Sequence, residues 1–220
     1  MTSLLTEERR AQLRETRDRQ IEGLVLLVAI SGLMWLIEII NTISGNHLDD
    51  DGIYARNIGR FWGILTSPFI HASFQHLTDN TIPFLFLGAI IAFRGAGRLA
   101  LVTGFIIVVG GLGTWLIAPA HNGLGRPEDT IGCSGVVFGY ASYLLTRGMF
   151  DRSVTEAMIG VVVGVVWGAV LISSLVPHSG ISWQAHLCGG VAGVIVAWRL
   201  SYTDGHRQAR SQGMAEPASS

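Results

Sequence analysis

Ser134 sits in the run TIGCSGVVFGY (residues 130–140), between Gly132 and Gly135, with Asp129 as its nearest charged neighbour. A serine hydroxyl attacks a carbonyl at neutral pH only when a base takes its proton, and histidine is the usual base. His186, in SWQAHLCGG (182–190), is the best-placed histidine. Acyl transfer also needs donors aimed at the oxygen that becomes negative. His76 and Asn80, in HASFQHLTDN (71–80), are spaced i, i+4 and share a helix face, so they offer an imidazole and an amide donor. The backbone N–H of Ser134 is a third donor if a helix starts there, because the first N–H groups of a helix lack intrahelical acceptors. Asp79 falls one residue off the face of His76 and Asn80, which favours a Ser–His dyad over a triad.

Such residues need helices to bring them to one level, and the chain is built of apolar helices. Its 220 residues are 49% hydrophobic and 14% charged, with mean hydropathy +0.44, too oily for a typical soluble domain. Apolar blocks near bilayer-spanning length lie at 21–43, 77–93, 99–118, 134–145, 154–176 and 181–200. Six spans are expected, the fourth of them short. All fifteen positive side chains are arginine. Twelve of them lie before span one, in the loops after spans two and four, or after span six; only Arg56, Arg60 and Arg126 lie in the opposite loops. By the positive-inside rule both termini are cytoplasmic, and the N-terminal ends of spans two, four and six share the outer half of the membrane. His76, Asn80, Ser134 and His186 then occupy one layer. A dozen helical residues after Ser134 cover about 18 Å of a core of about 30 Å, so Ser134 is expected below the outer surface, in a wet pocket.

Small residues complete the arrangement. Gly189 and Gly193 follow His186 on one helix face, and Gly135 and Gly139 lie beside Ser134. Small-xxx-small faces let membrane helices approach closely, so helices four and six should bring the Ser134 hydroxyl to the His186 ring. Residues 1–20 read as a charged cytoplasmic segment, 21–201 as the six-span domain and 202–220 as a disordered cytoplasmic tail. The first span is expected to stay as an anchor. Cys133 and Cys188 read as small buried hydrophobes. The net charge of −1 says little about partners, because the charges are segregated by leaflet; membrane lipids are the expected partners, and no nucleic acid.

GCSG heading the fourth span, AHLCGGVAG in the sixth and HLTDN entering the second resemble the rhomboid intramembrane serine proteases, whose motifs are GxSG, AHxxGxxxG and HxxxN. The resemblance covers about residues 21–200. It implies an all-α bundle of six transmembrane helices with a long first extracytoplasmic loop, Ser134 as nucleophile, His186 as base, and an oxyanion hole of His76, Asn80 and the Ser134 amide. Gly132, Gly135, Gly189 and Gly193 would support them. It implies single-span membrane proteins as substrates, cut within or near the membrane after a small residue, with no metal or cofactor. A bacterial inner membrane is the expected location. Many members carry tyrosine four residues after the nucleophile, stacked on the base; Phe138 keeps that ring without the hydroxyl. The first loop often shows a Trp-Arg pair, whereas Trp62 is followed by Gly63.

Two other functions compete. The same scaffold without catalysis would serve as a chaperone or adaptor binding transmembrane helices. A metal transporter could use His71, His76, His121, His178 and His186, though these gather at one leaflet rather than along a path. The VPHSG loop (176–180) and nearby glycines could form a movable cap.

Overall fold

The computed structural model describes residues 2–121, 124–125, 127–176 and 181–213. Arg126, His178, most of the VPHSG loop and the last seven residues of the tail lie outside the described residues.

Helix α1 (Thr2–Ile43) is one continuous rod of 42 residues, so the charged N-terminal segment and the first apolar block are a single element. The first loop holds a 3₁₀ turn (His47–Asp51), strand β1 (Ile53–Tyr54), a second 3₁₀ turn (Ile58–Arg60), the one-turn α2 (Gly63–Thr66) and a third 3₁₀ turn (Ser67–Phe69). Then come α3 (Phe74–Ala92) and α4 (Ala96–Phe105), which continues through a π turn (Ile106–Gly110) into α5 (Gly111–Ile117). Strand β2 (Asp129–Thr130) precedes α6 (Ser134–Asp151), α7 (Val154–Ser173) and α8 (Trp183–Gly213). Among the described residues, three stretches are long and apolar enough to cross a membrane by length and composition: Glu7–Ile43, Ala96–Ile117 and Val154–Ser173.

Two expectations need correction. Helix α6 has 18 residues, about 27 Å rather than 18 Å, and is close in length to the 19-residue α3. It runs on past Leu145 because Arg147 is buried and satisfied: its guanidinium bonds the Tyr143 hydroxyl and pairs with Asp151 at 2.8 Å and Glu156 at 3.7 Å. The expected shortness of the fourth helix, from which a recessed Ser134 was inferred, is therefore not observed. The chain also stays helical from Tyr202 to Gly213, where a disordered tail was expected.

Local sequence explains where the site-bearing helices begin. Ser73 caps α3, its side chain accepting from the His76 N–H at 3.2 Å, and Ser153 caps α7 in the same way through Glu156. Pro83 inside α3 has no N–H, which frees the carbonyl of Asp79 one turn back. Helix α6 is central: Tyr140 stacks on Phe84 of α3 and bonds Thr103 of α4 at 2.5 Å, and Val196 and Ala197 of α8 join the same core.

The first loop is fastened to the bundle at three places. Asn41, buried at the end of α1, donates to Asp49 and accepts from the Leu48 N–H. Arg56 donates to the carbonyls of Leu116 and Ala118 at the end of α5. Strand β1 pairs antiparallel with β2, Ile53 opposite Thr130 and Tyr54 opposite Asp129. The arginine that does not follow Trp62 is supplied two residues earlier. The Arg60 guanidinium lies 4.5 Å from the Tyr54 ring centre and 5.9 Å from that of Trp62.

Candidate active site

Ser134 is the first residue of α6, so its N–H has no acceptor within that helix. The chain reaches it through Gly132, whose φ of 105° favours glycine, and a Cβ there would meet the His76 ring at 2.8 Å. The Gly132 N–H donates to the Ser67 carbonyl at 2.9 Å, and the next N–H, of Cys133, donates to His71 Nε2 at 3.3 Å. Burial, and then His76 beside it, push the pKa of His71 down to about 4, which keeps the ring neutral and able to accept that bond.

His186 belongs to the first turn of α8 and is 6% exposed. Its Nε2 lies 2.9 Å from Ser134 Oγ, and its Nδ1 lies 2.8 Å from the backbone oxygen of Ser174. A carbonyl can only accept, so Nδ1 carries the ring proton and Nε2 presents a lone pair to the serine hydroxyl. That is the arrangement a general base requires. Phe138, one turn beyond Ser134, stacks on the imidazole with ring centres 4.2 Å apart and planes 4° from parallel.

Glycines make this approach possible. A Cβ on Gly189 would land on the Gly135 carbonyl, and one on Gly193 on the Gly139 carbonyl. A Cβ on Gly135 would meet the Ala185 carbonyl at 3.2 Å. Gly139 turns its carbonyl to α8, while the side of its missing Cβ is filled by Ile106 of the π turn. Ser142 adds a hydrogen bond across the seam to the Gly190 carbonyl at 2.7 Å.

His76, Asn80, Ser134 and His186 line one cavity of about 380 Å³, walled by α3, α6 and α7. One amide hydrogen of Asn80 is engaged by the His76 carbonyl at 3.0 Å, and among the described residues the other has no such bond. Asp79 also lines the cavity, but it accepts from Gln75 and makes no hydrogen bond to a histidine. Residue order assigns His71 a role only among the histidines of the metal-transporter alternative, and it carries no signal for the Ser174 carbonyl. A main-chain acceptor leaves no mark on residue type. Both cysteines are free thiols. Among the described residues, no three histidine, cysteine or acidic side chains are grouped to hold a metal ion.

Residues 58–203 match the Rhomboid domain. The chain belongs to the rhomboid family. An uncharacterised protein of Mycobacterium tuberculosis is 39% identical over 198 residues, covering 89% of this chain and 81% of that one. A candidate rhomboid protease of Bacillus subtilis, YdcA, is 28% identical over 142 residues, 64% of this chain and 67% of its own. Rhomboid-like protein 11 of the Arabidopsis thaliana chloroplast is 28% identical over 194 residues, 78% and 66% respectively. Family and apolar helices together make this an integral membrane protein with an all-α rhomboid fold.

Proposed function

We propose that this rhomboid is an intramembrane serine endopeptidase that cuts single-span membrane proteins within or near their transmembrane segments. The observation that carries this reading is the 2.9 Å contact of Ser134 Oγ with a His186 Nε2 that has a free lone pair. His186 takes the hydroxyl proton as Ser134 Oγ attacks the scissile carbonyl. The resulting oxyanion is held by the Ser134 N–H and by donors from His76 and Asn80. The imidazolium returns its proton to the leaving amine, and the acyl-enzyme remains. A water activated by the same base then releases the new carboxylate. The polar cavity is large enough to hold that water beside both groups.

The arginine distribution supports an orientation with both termini in the cytoplasm and the cavity opening outward, in a bacterial inner membrane. A single-span reporter reconstituted with the full chain in liposomes tests the function. Wild type should cleave it, and Ser134→Ala and His186→Ala proteins with intact folds should not. Undiminished cleavage by Ser134→Ala would defeat the reading. Failure of a fluorophosphonate to label Ser134 in the folded protein would favour the chaperone or adaptor alternative.

A further inference from the structure

We propose that the backbone carbonyl of Ser174, at the end of α7, is a positioning group for His186 that fixes its tautomer and stabilises its charged form. The proposal rests on the peptidase reading above. Ser174 stands immediately after α7, where helix carbonyls lack intrahelical donors and the helix dipole has its negative end. That carbonyl fixes the tautomer through the 2.8 Å bond from Nδ1. When His186 takes the Ser134 proton the ring becomes a cation, and the C-terminal end of a 20-residue helix stabilises it. In Ser–His–Asp sites a buried carboxylate does both jobs. Here a helix end does them without an ionised group in an apolar setting, which would be costly.

Helix α7 packs closely on α6 through its first turns. A Cβ on Gly148 of α6 would land on the Ala157 backbone, and one on Gly160 would meet the Leu144 and Leu145 carbonyls at 3.1 Å. Glu156, in the first turn of α7, pairs with Arg94 and Arg147. The outward face of α7 is exposed along its whole length, from Val154 and Met158 to Val165 and Ile172, and its later turns pack inward through Trp167 and Leu171. They also form one wall of the cavity, through Trp167, Val170, Leu171 and Ser174, facing Asn80 and Pro83 of α3. The packing of these turns sets where the Ser174 carbonyl stands, and a shift of an ångström or two would break its bond to Nδ1.

The test replaces the Ser174–Leu175 amide by an ester in the full chain, which weakens the Ser174 carbonyl as an acceptor. It also deletes the Leu175 N–H that bonds the Ile172 carbonyl at 3.2 Å. An ester between Val165 and Val166 serves as control, because it costs α7 an N–H without touching His186. Two readouts are taken in liposomes: reporter cleavage and the ¹⁵N spectrum of the His186 ring. Wild type should show only the Nδ1-protonated tautomer. The ester after Ser174 should show both tautomers and a kcat lowered about tenfold with KM unchanged, as expected for a weakened hydrogen bond to a charged group. The control should match wild type in both. A mixed or Nε2-protonated ring in wild type overturns the proposal, as does an ester after Ser174 that leaves either tautomer or kcat unaltered. The ring spectrum needs no turnover. If it behaves as expected while Ser134→Ala cleaves like wild type, the peptidase reading falls and the positioning bond stands.

Discussion

Helix α6 meets α8 and α7 by close glycine contacts, but at different ends. Against α8 the tight contacts begin beside the nucleophile, at Gly135 and Gly189, and continue through Gly139 and Gly193. The π turn adds Gly110, where a Cβ would meet the Gly189 Cα at 3.1 Å. Against α7 the tight contacts are at Gly148 and Gly160, far from Ser134, and a cavity replaces them near the site. Ser134 and His186 therefore meet across a tight glycine seam, whereas Ser174, whose carbonyl faces the other nitrogen of His186, lies where α7 borders the cavity.

The strongest way to break this contrast is a single methyl on the glycine seam. Gly189→Ala should drive α8 away from the Gly135 carbonyl and lower cleavage by about 100-fold or more, since misplacement by an ångström costs that much. Its thermal unfolding in detergent should fall as well. Gly164→Ala on α7 meets only the flexible end of Leu145, at 3.4 Å, and should cleave like wild type. Equal loss in both would erase the distinction between the helices.

Removing the ring that presses on the base should matter less. Phe138→Ala deletes the stack on His186 and should slow cleavage about tenfold, in line with the usual worth of an aromatic pair. Phe138→Tyr should stay near wild type, because the stack survives. A smaller effect is expected at Gly168 of α7, where an added Cβ meets nothing within 4 Å. Gly168→Ala should raise stability by about 0.5–1 kcal/mol, measured by reversible unfolding, with KM unchanged.

The first loop gives the smallest predicted effect, in its pH dependence. Burial, and then Asp50 and Asp49, raise the pKa of Asp129 to about 6. A carboxyl whose pKa is raised by folding holds more protons folded than unfolded. Its contribution to loop docking is therefore fully present below the ordinary carboxylate range and is lost as pH rises through about 6. Hydrogen exchange at the β1 and β2 amides, corrected for intrinsic rates, should quicken between pH 5 and 7 (about one unit either side of that pKa). Asp129→Asn should abolish the change.

Much of this was legible in residue order because helical periodicity and apolar runs are local properties. The expected apolar blocks correspond in position to α1, α3, the α4–α5 rod, α6, α7 and α8. The pairing of GCSG with AHLCGGVAG put serine, histidine and the glycines of their seam in one picture before any distance was known. The length of α6 was misread because Arg147 looks like a terminator in isolation; its burial depends on Tyr143, Asp151 and on Glu156 from the next helix. The fastening of the first loop by Arg56 and Arg60 was equally hidden, since both depend on partners distant in the chain or brought close by a turn.

Composition and apolar periodicity determined that this is an oily helical chain, residue types marked which side chains could carry acyl transfer, and the motifs GCSG, AHLCGGVAG and HLTDN carried the resemblance to the rhomboids. Tertiary structure decided which nitrogen of His186 faces the serine and what holds the other. Side-chain chemistry is written residue by residue, but a backbone carbonyl is common to every residue and acquires a role only from where the fold places it.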